Sequence, residues 1–150
     1  MVELREITQA NFDDVIALAV DRTQSAFVST VAHSLAQAWL HRECAFPFAI
    51  YADGTPVGFV MLGYYESRGQ YTLWKFLIDK NYQGRGYGRQ ALQLAIKWLT
   101  DHFAVDEVYT GVSLGNECAK HLYLSVGFQA TGQIEGSAEE LKYICTKHSV

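Results

Sequence analysis

Short apolar stretches with strand character alternate along this chain with longer stretches in which apolar side chains return every three or four positions. The alternation predicts an α/β architecture. Leu4 to Ile7 carries the first strand pattern. Phe12, Val15, Ile16 and Ala19 then recur at helical spacing behind Asn11, with Asp13 and Asp14 where a helix start favours negative charge. A second helical stretch runs from about Phe27 to Arg42, and Pro47 opposes its continuation past Phe46. Phe48 to Tyr51 and Pro56 to Tyr65 predict two strands around the turn Asp53-Gly54, and Gln70 to Ile78 a third. A helix begins near Gly88, with Ala91, Leu94, Ala95, Trp98 and Leu99 on its apolar face. Glu107 to Val112 predicts a strand, and Asn116 to Val126 a helix that Gly127 stops. Phe128 to Ile134 and Leu141 to Cys145 complete the sheet. The early strands are expected to be antiparallel, with a right-handed strand-loop-helix-strand crossover in the middle.

Composition narrows this picture without redrawing it. At 150 residues with no repeat or linker-like stretch, a single domain over residues 1–150 is expected. A net charge of −4 and a pI near 5.7 argue against a nucleic-acid partner and suit a cationic one. No apolar run approaches the roughly 18 residues of a membrane span, and the charged start Glu3-Leu4-Arg5-Glu6 is unlike a signal peptide, so a cytoplasmic location is expected. Cys44, Cys118 and Cys145 fit neither a disulfide framework nor a CxxC metal site. His33, His41, His102, His121 and His148 form no HExxH pair, so no metal is expected.

The candidate chemistry lies where the central strand meets its helix, at Gln83-Gly84-Arg85-Gly86-Tyr87-Gly88-Arg89. Alternating glycines open backbone conformations closed to other residues, and a helix N-terminus adds unpaired N–H groups and a positive dipole end. With Arg85 and Arg89 alongside, such a loop suits a pyrophosphate. A Walker loop is absent, and the spacing is wrong for a dinucleotide fingerprint. A plain glycine-rich connection explains the loop equally well on its own.

Gln83-x-x-Gly86-x-Gly88, after a strand and opening a helix, resembles the acetyl-coenzyme A pyrophosphate loop of the GNAT acetyltransferase superfamily. About thirty residues on, Asn116-x-x-Ala119-x-x-x-Tyr123-x-x-x-Gly127-Phe128 resembles that family's second signature. The element order is similar too, so the resemblance spans nearly the whole chain. It implies a three-layer fold: a mixed, largely antiparallel sheet of six to seven strands, helices on both faces, and a splay between the fourth and fifth strands.

The resemblance implies acetyl-CoA as donor, held by Gln83, Gly84, Arg85, Gly86, Tyr87, Gly88 and Arg89 at the pyrophosphate. Along the pantetheine it implies the backbone of Phe76, Leu77 and Ile78, with Asn116 and Tyr123. Tyr123 takes the general-acid role, its ordinary pKa near 10 lying a little above that of a thiol. On the helix pattern alone, Tyr123 is an amphipathic core tyrosine and Asn116 an N-cap. The positions that often carry the family's glutamate base hold Gly111 and Thr72 here, so no base is carried over; Glu66 and Glu43 are stand-ins, and relayed water is an alternative.

The stretch Gly58 to Gly88, with Gly63-Tyr64-Tyr65-Glu66, is most similar to bacterial spermine/spermidine N-acetyltransferases, which implies a polyamine acceptor such as spermidine or spermine. Glu43, Glu66 and Trp74 are the candidate acceptor contacts, with Asp21, Trp39, Tyr64, Tyr65 and Tyr71 as further possibilities. Lys75, if it points inward, opposes a cation. Another amine acceptor (protein N-terminus, lysine or aminoglycoside) and a non-catalytic acyl-CoA-binding module are the alternatives, and a homodimer is among the expectations.

Overall fold

A computed structural model describes residues 1–145, so His148 lies outside the described residues. Seven strands form one sheet: β1 (Val2–Arg5), β2 (Ala45–Ala52), β3 (Thr55–Tyr65), β4 (Gln70–Ile78), β5 (Glu107–Ser113), β6 (Gln129–Glu135) and β7 (Ala138–Ile144). Their spatial order is β1-β2-β3-β4-β5-β7-β6, and every neighbouring pair is antiparallel except β4 and β5. That pair follows from the crossover through helix α3 (Tyr87–Phe103), since strands joined by an intervening helix return parallel.

Helices α1 (Phe12–Ile16) and α2 (Val31–Leu40) cover one face; α3 and α4 (Glu117–Val126) cover the other. Ala91, Leu92, Ala95, Ile96 and Leu99 of α3 are buried against Val60, Leu62, Leu73, Val108 and Leu141 of the sheet. On the far face Val15, Val31 and Ala38 are buried with Ala49, Phe59, Met61 and Leu77. The strands between thus bury side chains on both faces, which explains their near-continuous apolar runs.

Several boundaries differ from the sequence pattern: α1 ends at Ile16 short of Ala19, α2 ends at Leu40, the last strand starts at Ala138 rather than Leu141, and three further shifts have a visible cause. The first strand is Val2–Arg5 rather than Leu4 to Ile7, because pairing with Ala49–Ala52 sets its register and puts Val2 and Leu4 in the core. The second helix starts at Val31, not Phe27: Thr30 is extended and its hydroxyl caps the helix, accepting from the His33 N–H at 3.1 Å. The strand predicted from Phe48 begins at Ala45 and includes Pro47. Beyond Ala49 strand β1 has ended, so Pro47 removes no N–H that a neighbour on that side needs.

One register feature shapes the site. Leu62 pairs with Leu73 but Met61 pairs with Lys75, so Trp74 is an extra residue, a β-bulge in β4. At the same level β4 stops pairing with β5: the parallel ladder covers only Tyr71–Leu73 against Val108–Thr110. From Trp74 to Ile78 the two strands diverge. This is the splay between the fourth and fifth strands.

Candidate active site

The loop from Asp79 to Gly86 is tied down by side chains on its inner edge, which leaves its outer edge open. Asp79 is 5% exposed; its carboxylate accepts from the Ala19 N–H at 2.9 Å and the Asn81 N–H at 3.0 Å. Its backbone N–H donates to Val57 at 2.8 Å. Gln83 Nε2 donates to the Ile78 carbonyl at 2.9 Å and to Gln24 Oε1 at 3.0 Å. These bonds join the loop to the end of β4 and to the segment between α1 and α2. Gln83 therefore braces the loop, and the Ile78 carbonyl already has a partner.

Beyond this brace the backbone turns left-handed at Gly84 (φ +79°) and Gly86 (φ +82°). A Cβ at Gly84 would meet nothing within 4 Å, so the loop surface there is open. Gly86 caps the 17-residue α3 without a side-chain hydrogen bond, so no side chain occupies the N–H groups of its first turn. Arg85 lies over the Tyr82 ring and Arg89 is exposed on that turn. The donors, dipole and mobile cations that a pyrophosphate needs converge here, so the residues present fit coenzyme A at this end. Gly88 has a different job: a Cβ there would press on Leu122 at 3.1 Å and Phe76 at 3.4 Å, so its absence lets α3 pack closely on α4 and β4.

From the loop a groove of about 370 Å³ runs along Phe76, Leu77 and Ile78 to Asn116, Ala119 and Leu122. It continues into a narrow recess of about 130 Å³ within the splay, lined among others by Ser29, Lys75, Thr110, Gly111 and Tyr123. Trp74 is the wall between that recess and a third space of about 730 Å³ on the α1/α2 face, lined by His41, Cys44, Gly63, Tyr64, Tyr65, Glu66, Ser67 and Thr72 as well. Groove and recess share Val28, Phe76, Leu77, Asn116 and Ala119, and recess and cleft adjoin at Trp74, so the three spaces lie side by side along the splay.

Tyr123 stands at the narrow middle. It is 6% exposed, with its ring 6.3 Å from that of Phe76 and 5.6 Å from that of Phe128. Burial pushes its hydroxyl up to about 12, and a hydrogen bond with the Thr110 side chain pulls more weakly the other way. Thr110 is itself 3% exposed and donates to the Leu73 carbonyl at 2.9 Å, the last rung before the splay. Asn116 caps α4, accepting from the Ala119 N–H at 3.4 Å, and lines both groove and recess.

On the far side the structure brings Glu66 and Trp74 together and leaves Glu43 exposed on the turn after α2, outside the cleft lining. Trp39 is 67% exposed with Arg42 over its ring. Tyr71 is stacked between Tyr64 and Phe103. Asp21 is exposed. At the outer end Arg68 pairs with Glu135 and, at 3.8 Å, with Glu140. Lys75 does point inward: its Nζ donates to Ser29 Oγ at 2.9 Å, and burial pulls its pKa below the ordinary lysine value. Among the described residues no three His, Cys, Asp or Glu side chains converge as metal ligands would.

Sequence reasoning missed Asp79, Thr110, Ser29 and His41. The first two are polar residues inside apolar stretches, a visible signal of a buried partner. His41 sits edge-on to Trp74 at 5.7 Å, and nothing in the sequence connects positions 41 and 74.

The model of the Acetyltransferase (GNAT) family matches residues 5–128. A probable spermine N(1)-acetyltransferase of Bacillus subtilis subsp. natto (strain BEST195) is 28% identical over 148 residues, covering 93% of this chain and 95% of that protein. Among solved structures, a spermidine N-acetyltransferase from Vibrio cholerae in complex with CoA and spermine superposes with a TM-score of 0.74 at 18% identity over 95% of both chains. An aminoglycoside acetyltransferase in complex with coenzyme A superposes with a TM-score of 0.80 at 16% identity, over 96% of this chain and 95% of that one. With the motifs at 83–88 and 116–128 meeting across a splayed sheet, the chain belongs to the GNAT acetyltransferase family and is an acetyl-CoA-dependent N-acetyltransferase.

Proposed function

We propose that this enzyme acetylates a primary amine of a polyamine, with spermidine and spermine as the leading acceptors, in the cytoplasm. The observation that carries the reading is the row of three adjoining spaces along the splay: a groove at the cationic loop, a narrow recess lined by Tyr123, and, beyond Trp74, an aromatic cleft bearing Glu66. Similarity over nearly full length to a probable spermine acetyltransferase supports the acceptor class.

Bound acetyl-CoA supplies the activated acetyl group. The α3 amides, Arg85 and Arg89 hold the pyrophosphate, while the backbone of Phe76 and Leu77, without a strand partner on the β5 side, pairs with the pantetheine arm as an added strand would. Asn116 lines the same groove. Backbone N–H groups at the Trp74 bulge are placed to stabilise negative charge developing on the thioester oxygen. Tyr123 donates to the departing sulfur. With its hydroxyl at about 12 and a thiol near 8.5, full proton transfer is uphill by roughly 4 to 5 kcal/mol, steeper than an ordinary tyrosine would make it. Tyr123 therefore acts mainly by hydrogen-bonding the sulfur as charge builds, and its proton moves late.

Trp74 and Tyr64 line the cleft as aromatic partners for the ammonium groups of the acceptor, Glu66 adds a carboxylate, and the Tyr65 ring already carries Arg68 over it. No carboxylate lines the recess. The attacking amine is instead neutralised by leaving water as it enters, its proton passing outward through the cleft. Thiol release measured with spermidine, spermine, diamines, an aminoglycoside and a peptide N-terminus tests the acceptor. Failure of all the polyamines alongside turnover of another amine would overturn the acceptor and keep the enzyme class.

A further inference from the structure

Lys75 is a primary amine inside an enzyme that acetylates primary amines. The bulge at Trp74 turns it to the face of β4 that lines the splay recess, where it shares walls with Phe76, Leu77, Thr110 and Tyr123. Its side chain is a four-carbon chain ending in an amine, the same chemical group as the aminobutyl end of a polyamine. Nothing ionic holds it: its partner is the neutral Ser29 hydroxyl at 2.9 Å, and no Asp or Glu forms an ion pair with it among the described residues. The Trp74 ring centroid lies 6.0 Å from Nζ.

The geometry points to Lys75 as an internal acceptor, acetylated on Nζ by acetyl-CoA bound in the splay. In the step, the lone pair of neutral Nζ forms the N–C bond to the acetyl carbon. The C–S bond breaks, sulfur leaves with its electron pair, and the proton lost from nitrogen ends on sulfur through Tyr123 or water. The products are one Nε-acetyl-lysine and one free coenzyme A thiol. Partial burial favours the neutral amine this requires, and tethering to β4 replaces a bimolecular encounter by a local rotation of the lysine stem. The result matters for the external reaction. A positive charge in the recess opposes a cationic acceptor, and an amide in its place does not.

The inference rests on the cofactor half of the proposed function and not on the polyamine half. The purified full chain, incubated with acetyl-CoA and no amine, is expected to acquire one acetyl group mapped by peptide mass spectrometry to Lys75, well before the exposed Lys97 on α3. Tyr123→Phe should slow labelling at Lys75 by about tenfold or more and leave Lys97 unaffected, whereas adventitious acetylation would treat both alike. Lys75→Arg should abolish that label. A Lys75 left unmodified, or modified no faster than Lys97, in a sample that acetylates an external amine would overturn the inference and leave the proposed function standing. A labelled Lys75 beside no turnover of any polyamine would do the reverse.

Discussion

The two sides of the splay are built on opposite plans. On the side proposed for the donor, the groove is walled largely by backbone within one stretch of chain from Phe76 through the first turn of α3, braced by Asp79 and Gln83, with Arg85 and Arg89 as its cationic side chains. The cleft proposed for the acceptor is lined instead by side chains of separate segments: His41 and Cys44 after α2, Tyr64 to Ser67 at and just past the end of β3, Thr72 and Trp74 on β4. Backbone recognition tolerates many side chains and fixes one ligand shape. A cleft walled by side chains can change its guest with a few substitutions while the donor site stays intact.

Substitutions should separate the two sides, and the largest effect is expected where they meet. Tyr123→Phe should lower kcat by about 10²-fold with the dissociation constant for acetyl-CoA little changed, checked by steady-state kinetics and calorimetry. Equal loss of binding and turnover would make Tyr123 a packing residue only. On the donor side, Arg85→Ala combined with Arg89→Ala should weaken acetyl-CoA binding by about tenfold, through lost charge-assisted phosphate contacts, and leave the KM for the amine alone.

On the acceptor side the pattern inverts. Lys75→Gln should improve the KM for a polyamine by about fivefold relative to wild-type enzyme whose Lys75 is still unacetylated, the size of a charge repulsion of roughly 1 kcal/mol in a half-solvated recess. Glu66→Gln should worsen it by about two- to threefold, since Glu66 is exposed and its attraction is screened, with the KM for acetyl-CoA unmoved in both. The smallest effect is an absence. Because Tyr123 keeps its proton to about pH 12, kcat should show no alkaline fall due to this residue below about pH 11. An ordinary tyrosine would begin to lose its proton about two units lower.

The same contrast governs what could be read in advance. The glycine loop was legible because the left-handed turns at Gly84 and Gly86, and the close approach at Gly88, each demand glycine at a fixed place in a short stretch. Asn116 and Tyr123 were legible because a helix puts its cap and its inward face at fixed spacing. Glu66 and Trp74, candidates for their charge and ring, both line the cleft, while Glu43, offered on the same grounds, is exposed on its turn outside that lining, which nothing local to Glu43 signals. The start of α2 was misplaced for a similar reason. Phe27 and Val28 have apolar character consistent with a helix, but with Ser29 they line the splay recess, and Ser29 meets Lys75.

By itself the sequence determined the run of strands and helices, the α/β class, the loop that suits a pyrophosphate and the inward helix face that carries Tyr123, because each rests on contacts between residues near in the chain or on periodic burial. Only the tertiary structure decided the strand order that inserts β7 between β5 and β6, the bulge at Trp74 and the inward turn of Lys75. It also decided which aromatic residues line the cleft and which, like Trp39 and Tyr71, do not. These depend on register between strands distant in sequence. A shift of one residue in β4 reverses the face of every side chain beyond it, and no local pattern marks where the shift falls.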